Sequence, residues 1–178
     1  MAGDAEERAF PSPTVPRDSR ADVLLGYLDF FRDGLLAKVT GLSEQDQRTS
    51  RLPSGWTPLD LVRHLTFVER RWLVWGFEGR DVGDPWGDQV DGRWHVGDDK
   101  DAGQVLAELE AQGGVTTQVV RRHDLDEVGA PGPRWDGAAP ATLERVLLHL
   151  VQEHARHLGH IDVVAELAAV RRGSEVAC

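Results

Sequence analysis

Apolar residues recur along this chain at spacings of three and four, the signature of helices that bury one face. The longest case is residues 143–167, LERVLLHLVQEHARHLGHIDVVAEL. Leu143, Val146, Leu147, Leu150, Ile161, Val164 and Ala168 form its stripe, Thr142 stands at the N-cap, and no Pro interrupts it. Residues 19–40 predict a first helix with Leu24, Leu28, Phe31, Leu35 and Val39 inward and Gly41 as its stop. Thr57-Pro58-Leu59-Asp60 predicts the start of a second, running to about residue 78 with Leu61, Leu65, Val68, Trp72 and Trp75 on its stripe. A third, less regular helix spans about residues 101–123, with Gly113-Gly114 as an interruption.

Between these segments lie two long connections dense in Gly, Asp and Pro, residues 79–100 and 124–140. No repeat and no strand-like alternation is visible. The expected fold is all-α: an antiparallel four-helix bundle with two long connecting loops. Residues 1–18 read as a polar arm, 19–170 as the bundle and 171–178 as a tail. In the first long loop, Trp86 and Trp94 are expected to cover the open end of the core, or else to wall a small-molecule pocket.

Two places break the apolar pattern. On the last helix Glu153, His154 and His157 stand where Leu or Val is expected. A carboxylate on a core-facing stripe is costly unless it is paired or bound to a metal. Residues three or four apart share a helix face. Helical geometry therefore favours His157 as a ligand and leaves Glu153, His154 and His160 open as its partners. The alternative is a bundle helix with satisfied histidines. The second break is His64, within the stripe of the second helix. Alone it reads as a structural core histidine; its weight comes from the cluster on the other helix, which needs a third ligand.

Charge and composition narrow the classes. The formal net charge is −10, with 20 basic and 30 acidic residues. That disfavours nucleic acid and anionic membranes as partners. No apolar run reaches the roughly 20 residues that span a bilayer, and the N-terminus lacks a signal-peptide core. A cytoplasmic location is expected. The single Cys, Cys178, excludes a disulfide framework or a Cys-based metal site within the monomer. A site built from His64, Glu153 and His157 would keep a coordination position open, as catalytic zinc sites do. The same donors also suit non-haem iron.

WTPLDLVRHLTFVERRW on the second helix, with EHARHLGHIDVVAE on the fourth, resembles the DinB-like superfamily of four-helix metalloproteins. The resemblance covers about residues 20–168. It is strongest to an actinobacterial branch that is also similar to the mycothiol-dependent maleylpyruvate isomerases. It implies metal ligands at His64, Glu153 and His157, against His154, with His160 behind them. The sequence departs at Ala165, where close relatives often carry Arg.

The resemblance implies an S-transferase or isomerase that uses a divalent metal, foremost zinc with nickel or iron as alternatives, and mycothiol or another low-molecular-weight thiol. Its partners would be that thiol and an electrophilic substrate, with a homodimer as an allowed assembly. The strong preference for Arg over Lys, as in GC-rich genomes, agrees with mycothiol. Catalysis would use His160 for protons. Trp72 and Trp75 would exclude water at the cofactor site, with Arg156, Arg63, Arg70 and Arg93 as candidate anchors for carboxylates. A different metalloenzyme, hydrolytic or iron-dependent, and a non-catalytic metal-binding stress protein are the alternatives.

Overall fold

A computed structural model describes residues 9–176, with side chains described through residue 170. Residues 1–8, eight of the eighteen expected arm residues, and residues 177–178 of the expected tail lie outside the description. The elements are α1 (Arg20–Thr40), the short α2 (Glu44–Gln47), α3 (Pro58–Glu69), a π-helical continuation (Arg70–Phe77), strands β1 (Gln89–Val90) and β2 (Arg93–Trp94), α4 (Ala102–Arg122), a 3₁₀ turn (Pro133–Trp135) and α5 (Leu143–Val176). The fold is an all-α bundle in which α1 packs on α5 and α3 on α4. The helix α5 continues into the stretch expected as a tail. The last arm residues follow α1, where Phe10 meets Tyr27 and Phe30 at ring distances of 5.8 and 5.3 Å.

Local chemistry sets the helix starts. Ser19 Oγ accepts from Asp22 N, and Thr57 with Asp60, then Asp101 with Gln104, form reciprocal capping boxes. Three expectations need correcting. On α1 the buried face is Leu25, Leu28, Arg32, Leu35 and Val39, so Leu24 and Phe31 stand at its flanks. The helix α4 runs unbroken through Gly113-Gly114. At Gly113 a Cβ would lie only 2.8–2.9 Å from the Arg32 guanidinium, so this glycine admits a cation from α1. The second helix changes to i→i+5 bonding after Glu69, as in Glu78 N to Leu73 O. The wider turn rotates Leu73, Val74 and Phe77 inward and leaves Trp72 and Trp75 half-buried.

Two apolar clusters fill the bundle, one around Leu28, Leu73 and Leu147, the other around Leu35, Leu65, Leu109 and Ile161. Each long helix contributes one polar residue between them: Arg32, Glu69, Thr116 and His154. Glu69 accepts from Arg32 Nε and Nη2 at 3.1 and 3.0 Å and from the Thr116 hydroxyl, and His154 Nε2 lies 2.9 Å from Glu69 Oε1.

Residues 79–100 are not wholly irregular. β1 and β2 pair antiparallel through Asp91-Gly92, both with positive φ. That geometry suits Asp-Gly in a two-residue hairpin turn. Arg63 donates to Gly87 O and Arg70 to Val82 O, pinning the loop against α3 and its π-helical continuation.

Candidate metal centre

The loop is pinned where α3 carries His64. His64 Nδ1 lies 3.0 Å from Asp88 Oδ2. Asp88 is fully buried, and Arg71 Nη1 donates to its Oδ1 at 2.6 Å. Burial by itself would raise the Asp88 pKa; the bonds from His64 and Arg71 outweigh it and hold the carboxyl below its ordinary range. With Nδ1–H given to this carboxylate, His64 keeps the Nε2 lone pair for another partner.

Glu153 and His157 face the same point from α5. Glu153 Oε2 is 3.3 Å from His157 Nε2. One ligand atom each from His64, Glu153 and His157 lies within 4.8 Å of the others, so these three form a group that can hold a metal ion. Burial, then the charges of His64 and His160, push His157 down to about 3. Its imidazole is therefore neutral at pH 7, as a metal ligand must be. His160 Nδ1 lies 3.2 Å from His157 Nδ1, so the two rings share one proton there. With that proton carried by His157, its Nε2 on the Glu153 side is the free ligand atom.

The structure separates His154 from this group. Its side chain is fully buried in the polar layer against Glu69. Arg156 is exposed, and its charge is among the minor causes that depress His157. Trp72 reaches the centre indirectly: its ring meets His149 at 4.7 Å, and His149 Nε2 is 3.9 Å from Glu153 Oε1. Trp75 is half-buried and takes no part in the ring contacts around the three residues.

The hairpin delivers an aromatic wall. Trp94 stacks on His64 with ring centroids 4.0 Å apart and meets His157 edge-on at 5.3 Å. Beyond Trp94 opens a cleft of about 640 Å³, lined by Ser54, Trp56, Thr57, Arg93, Trp94 and His95 among others. Trp56 also stands 6.1 Å from the ring of His160. The cleft thus shares Trp94 with the centre and reaches His160 through Trp56. Trp86, by contrast, is exposed and lies under Arg71 at 4.5 Å.

Sequence reasoning missed Asp88, Arg71, Trp56 and His149. The Asp-Gly pair at 91–92 does signal the hairpin. Nothing local distinguishes Asp88 from the five other Asp residues of its loop.

The bundle and its group of two histidines and one glutamate define a DinB-like protein. The sequence matches the Mycothiol-S-transferase family over residues 23–169, and the chain belongs to that family. Comparison with curated proteins finds no match.

Proposed function

We propose that this protein is a divalent-metal-dependent S-transferase or isomerase that brings mycothiol, or another small thiol, onto a small electrophile. The observation that carries the reading is the convergence of His64, Glu153 and His157 beside an aromatic-walled cleft, in a chain of the mycothiol-S-transferase family. The described centre contains no Cys, and on this reading the reacting sulfur is that of a bound thiol.

His64, Glu153 and His157 would hold the cation, with zinc the first choice and nickel or iron compatible with the same donors. Bound there, a divalent cation supplies positive charge that keeps a thiol sulfur ionised near neutral pH. The protein's own groups do the rest. Asp88, held by Arg71, fixes the tautomer and the direction of His64. His160 does the same for His157 by accepting its Nδ1–H at Nδ1, which puts the hydrogen of His160 on Nε2 and makes that atom a donor toward a bound thiolate or a leaving group. Trp94 covers the centre on the hairpin side. The cleft receives the body of the thiol, with Trp56 and Trp94 as stacking faces and Ser54, Thr57, Arg93 and His95 offering hydrogen bonds to hydroxyl groups. In transfer, sulfur forms a bond to the electrophilic carbon as the leaving group departs with its bonding pair.

We place this chemistry in the cytoplasm; among the described residues no helix is long and apolar enough to cross a membrane. The experiment is conjugation of a panel of electrophiles by zinc-loaded and chelator-treated protein, with and without mycothiol. Turnover is expected only with both metal and thiol. Equal rates in loaded and stripped samples would overturn the reading.

A further inference from the structure

The outward face of α5 carries large apolar residues where a helix facing solvent is expected to be polar. Leu148, Val163, Leu167 and Val170 are all exposed there. At 3.6 residues per turn they fall within one arc of about 100°, opposite the buried Leu150, Ile161 and Val164. From Leu148 to Val170 the arc runs about 33 Å along the helix. The other exposed large apolar residues are scattered over the arm, α1 and the loops. Gly159 stands halfway along the arc, and a Cβ built on it meets no atom within 4 Å.

The face is laid out symmetrically about Gly159. Leu148 and Val170 stand eleven residues to either side, and Gln152 and Glu166 seven. Ala155 and Val163 stand four to either side, and Arg156 and Asp162 three. A two-fold axis beside Gly159 lays one α5 antiparallel on another. Each residue before Gly159 then comes level with the residue equally far after it in the second copy. Apolar ends meet apolar ends, and glycine meets glycine where the helices are closest. Arg156 comes level with Asp162 of the second copy and Gln152 with Glu166 of the second copy, each pair twice. Among the described residues Arg156 forms no ion pair within the chain. Asp162 has Lys38 at 2.8 Å and is itself 44% exposed, which leaves room for a second cation. A parallel pairing would instead set Arg156 beside Arg156 and Asp162 beside Asp162.

We propose that this face is a homodimer interface in which two α5 helices cross antiparallel at Gly159. The proposal stands on the surface alone and does not depend on the S-transferase reading. A lipid surface fits less well, because Asp162 and Glu166 border the stripe and the chain carries a net charge of −10. The inner side of the same helix carries Glu153 and His157, so the second copy backs the helix that presents two of the candidate ligands.

Analytical ultracentrifugation of the zinc-loaded full chain over roughly 1–100 μM reads the assembly. The wild type is expected at twice the 19.7 kDa chain mass in the upper part of that range. Gly159→Arg has open space in the single chain and raises helix propensity, but it sets two guanidinium groups against each other at the axis. It should stay monomeric throughout, with an unchanged helical circular dichroism spectrum. Asp162→Arg sets a cation against Arg156 of the second copy and should raise the dimer dissociation constant about tenfold or more. Adding Arg156→Asp restores opposite pairs and should recover most of the affinity. The contact with Lys38 is lost equally in both variants, so the recovery reports the contact between copies. A wild type that is monomeric at the highest concentration, an undiminished dimer in Gly159→Arg, or a double variant no tighter than Asp162→Arg overturns the proposal. Cosedimentation of a monomeric wild type with phosphatidylglycerol vesicles would assign the face to a lipid surface and overturn it as well.

Discussion

His64 Nδ1 and Asp88 Oδ2 lie 3.0 Å apart, joining α3 to the loop before the hairpin at the candidate metal centre. Arg71 holds the same carboxylate, so the orientation of His64 is fixed from a residue that itself cannot turn. Carboxylates in this position keep a metal-ligating imidazole in one tautomer. Asp88→Asn is expected to reduce zinc affinity by roughly 10–100-fold, the range typical for such partners. Competition against a chromogenic chelator measures it. An unchanged affinity would mean that His64 needs no help to face Glu153 and His157.

The two faces of α5 make opposite predictions. Glu153→Ala and His157→Ala should each lose metal, because each removes one of three converging donor atoms. His154→Ala should keep metal and lose stability, since its ring is wholly enclosed beside Glu69. The expected loss is about 1–3 kcal/mol, the usual range for a disrupted buried site. Metal content by mass spectrometry and urea melts of the three variants separate the outcomes. Metal lost from His154→Ala but kept in Glu153→Ala would reverse the assignment.

How much of this was legible in the sequence depended on the range of the interaction. Helix periodicity and caps are local, and the four long helices and their starts could be read directly. The π-helical turn after Glu69 could not be, because it moves Trp72 and Trp75 off the face that a 3.6-residue period assigns them. Spacing on α5 left three partners open for His157; the family resemblance named Glu153, and the structure brings that residue to His64. Nothing on their own helices marks Arg32 and Glu69 for burial. They are buried because each is the other's partner across the bundle, 37 residues apart. Asp88 sits in a loop whose composition says only that it is a loop.

The hairpin carries both Trp94 and the chain that leads from Asp88, so strain at its turn should reach the centre. Gly92 has φ +73 and open space around it, so Ala there meets backbone strain without a clash. Gly83, in the same long loop, has φ +71 and is equally open. Each Gly→Ala change should cost about 1 kcal/mol of stability, from the left-handed conformation alone. Only Gly92→Ala should also weaken zinc binding, because only Gly92 lies between the strands that seat Trp94 on His64. Equal zinc affinity in both variants would show that the hairpin is not part of the site's support.

The buried layer predicts the acid limb of stability. Burial alone would raise the Glu69 pKa, but the Arg32 charge and the contacts with His154 and Thr116 reverse this and hold it well below the usual carboxylate range. Burial also lowers His154, so it is neutral at pH 7 and Arg32 is the cation that keeps Glu69 ionised. A carboxylate depressed on folding contributes stability that is complete above its unfolded pKa and is lost as pH falls through the folded one. For Glu69 the loss therefore begins near the ordinary 4.5 and continues toward about 2. His154, depressed on folding, gives a separate and earlier loss as pH falls below its ordinary 6.5, where the unfolded chain takes up a proton that the folded chain refuses. Glu69→Gln should cost about 3–5 kcal/mol at pH 7, because it leaves Arg32 buried with only Asp29 opposite. Below pH 4.5 the wild-type residue is itself being protonated during unfolding, so the gap between the two proteins should shrink. Urea midpoints of both proteins between pH 7 and pH 3 provide the comparison. A gap of constant size across that range would mean that Glu69 stabilises the bundle by its shape and hydrogen bonds alone, with its charge contributing nothing.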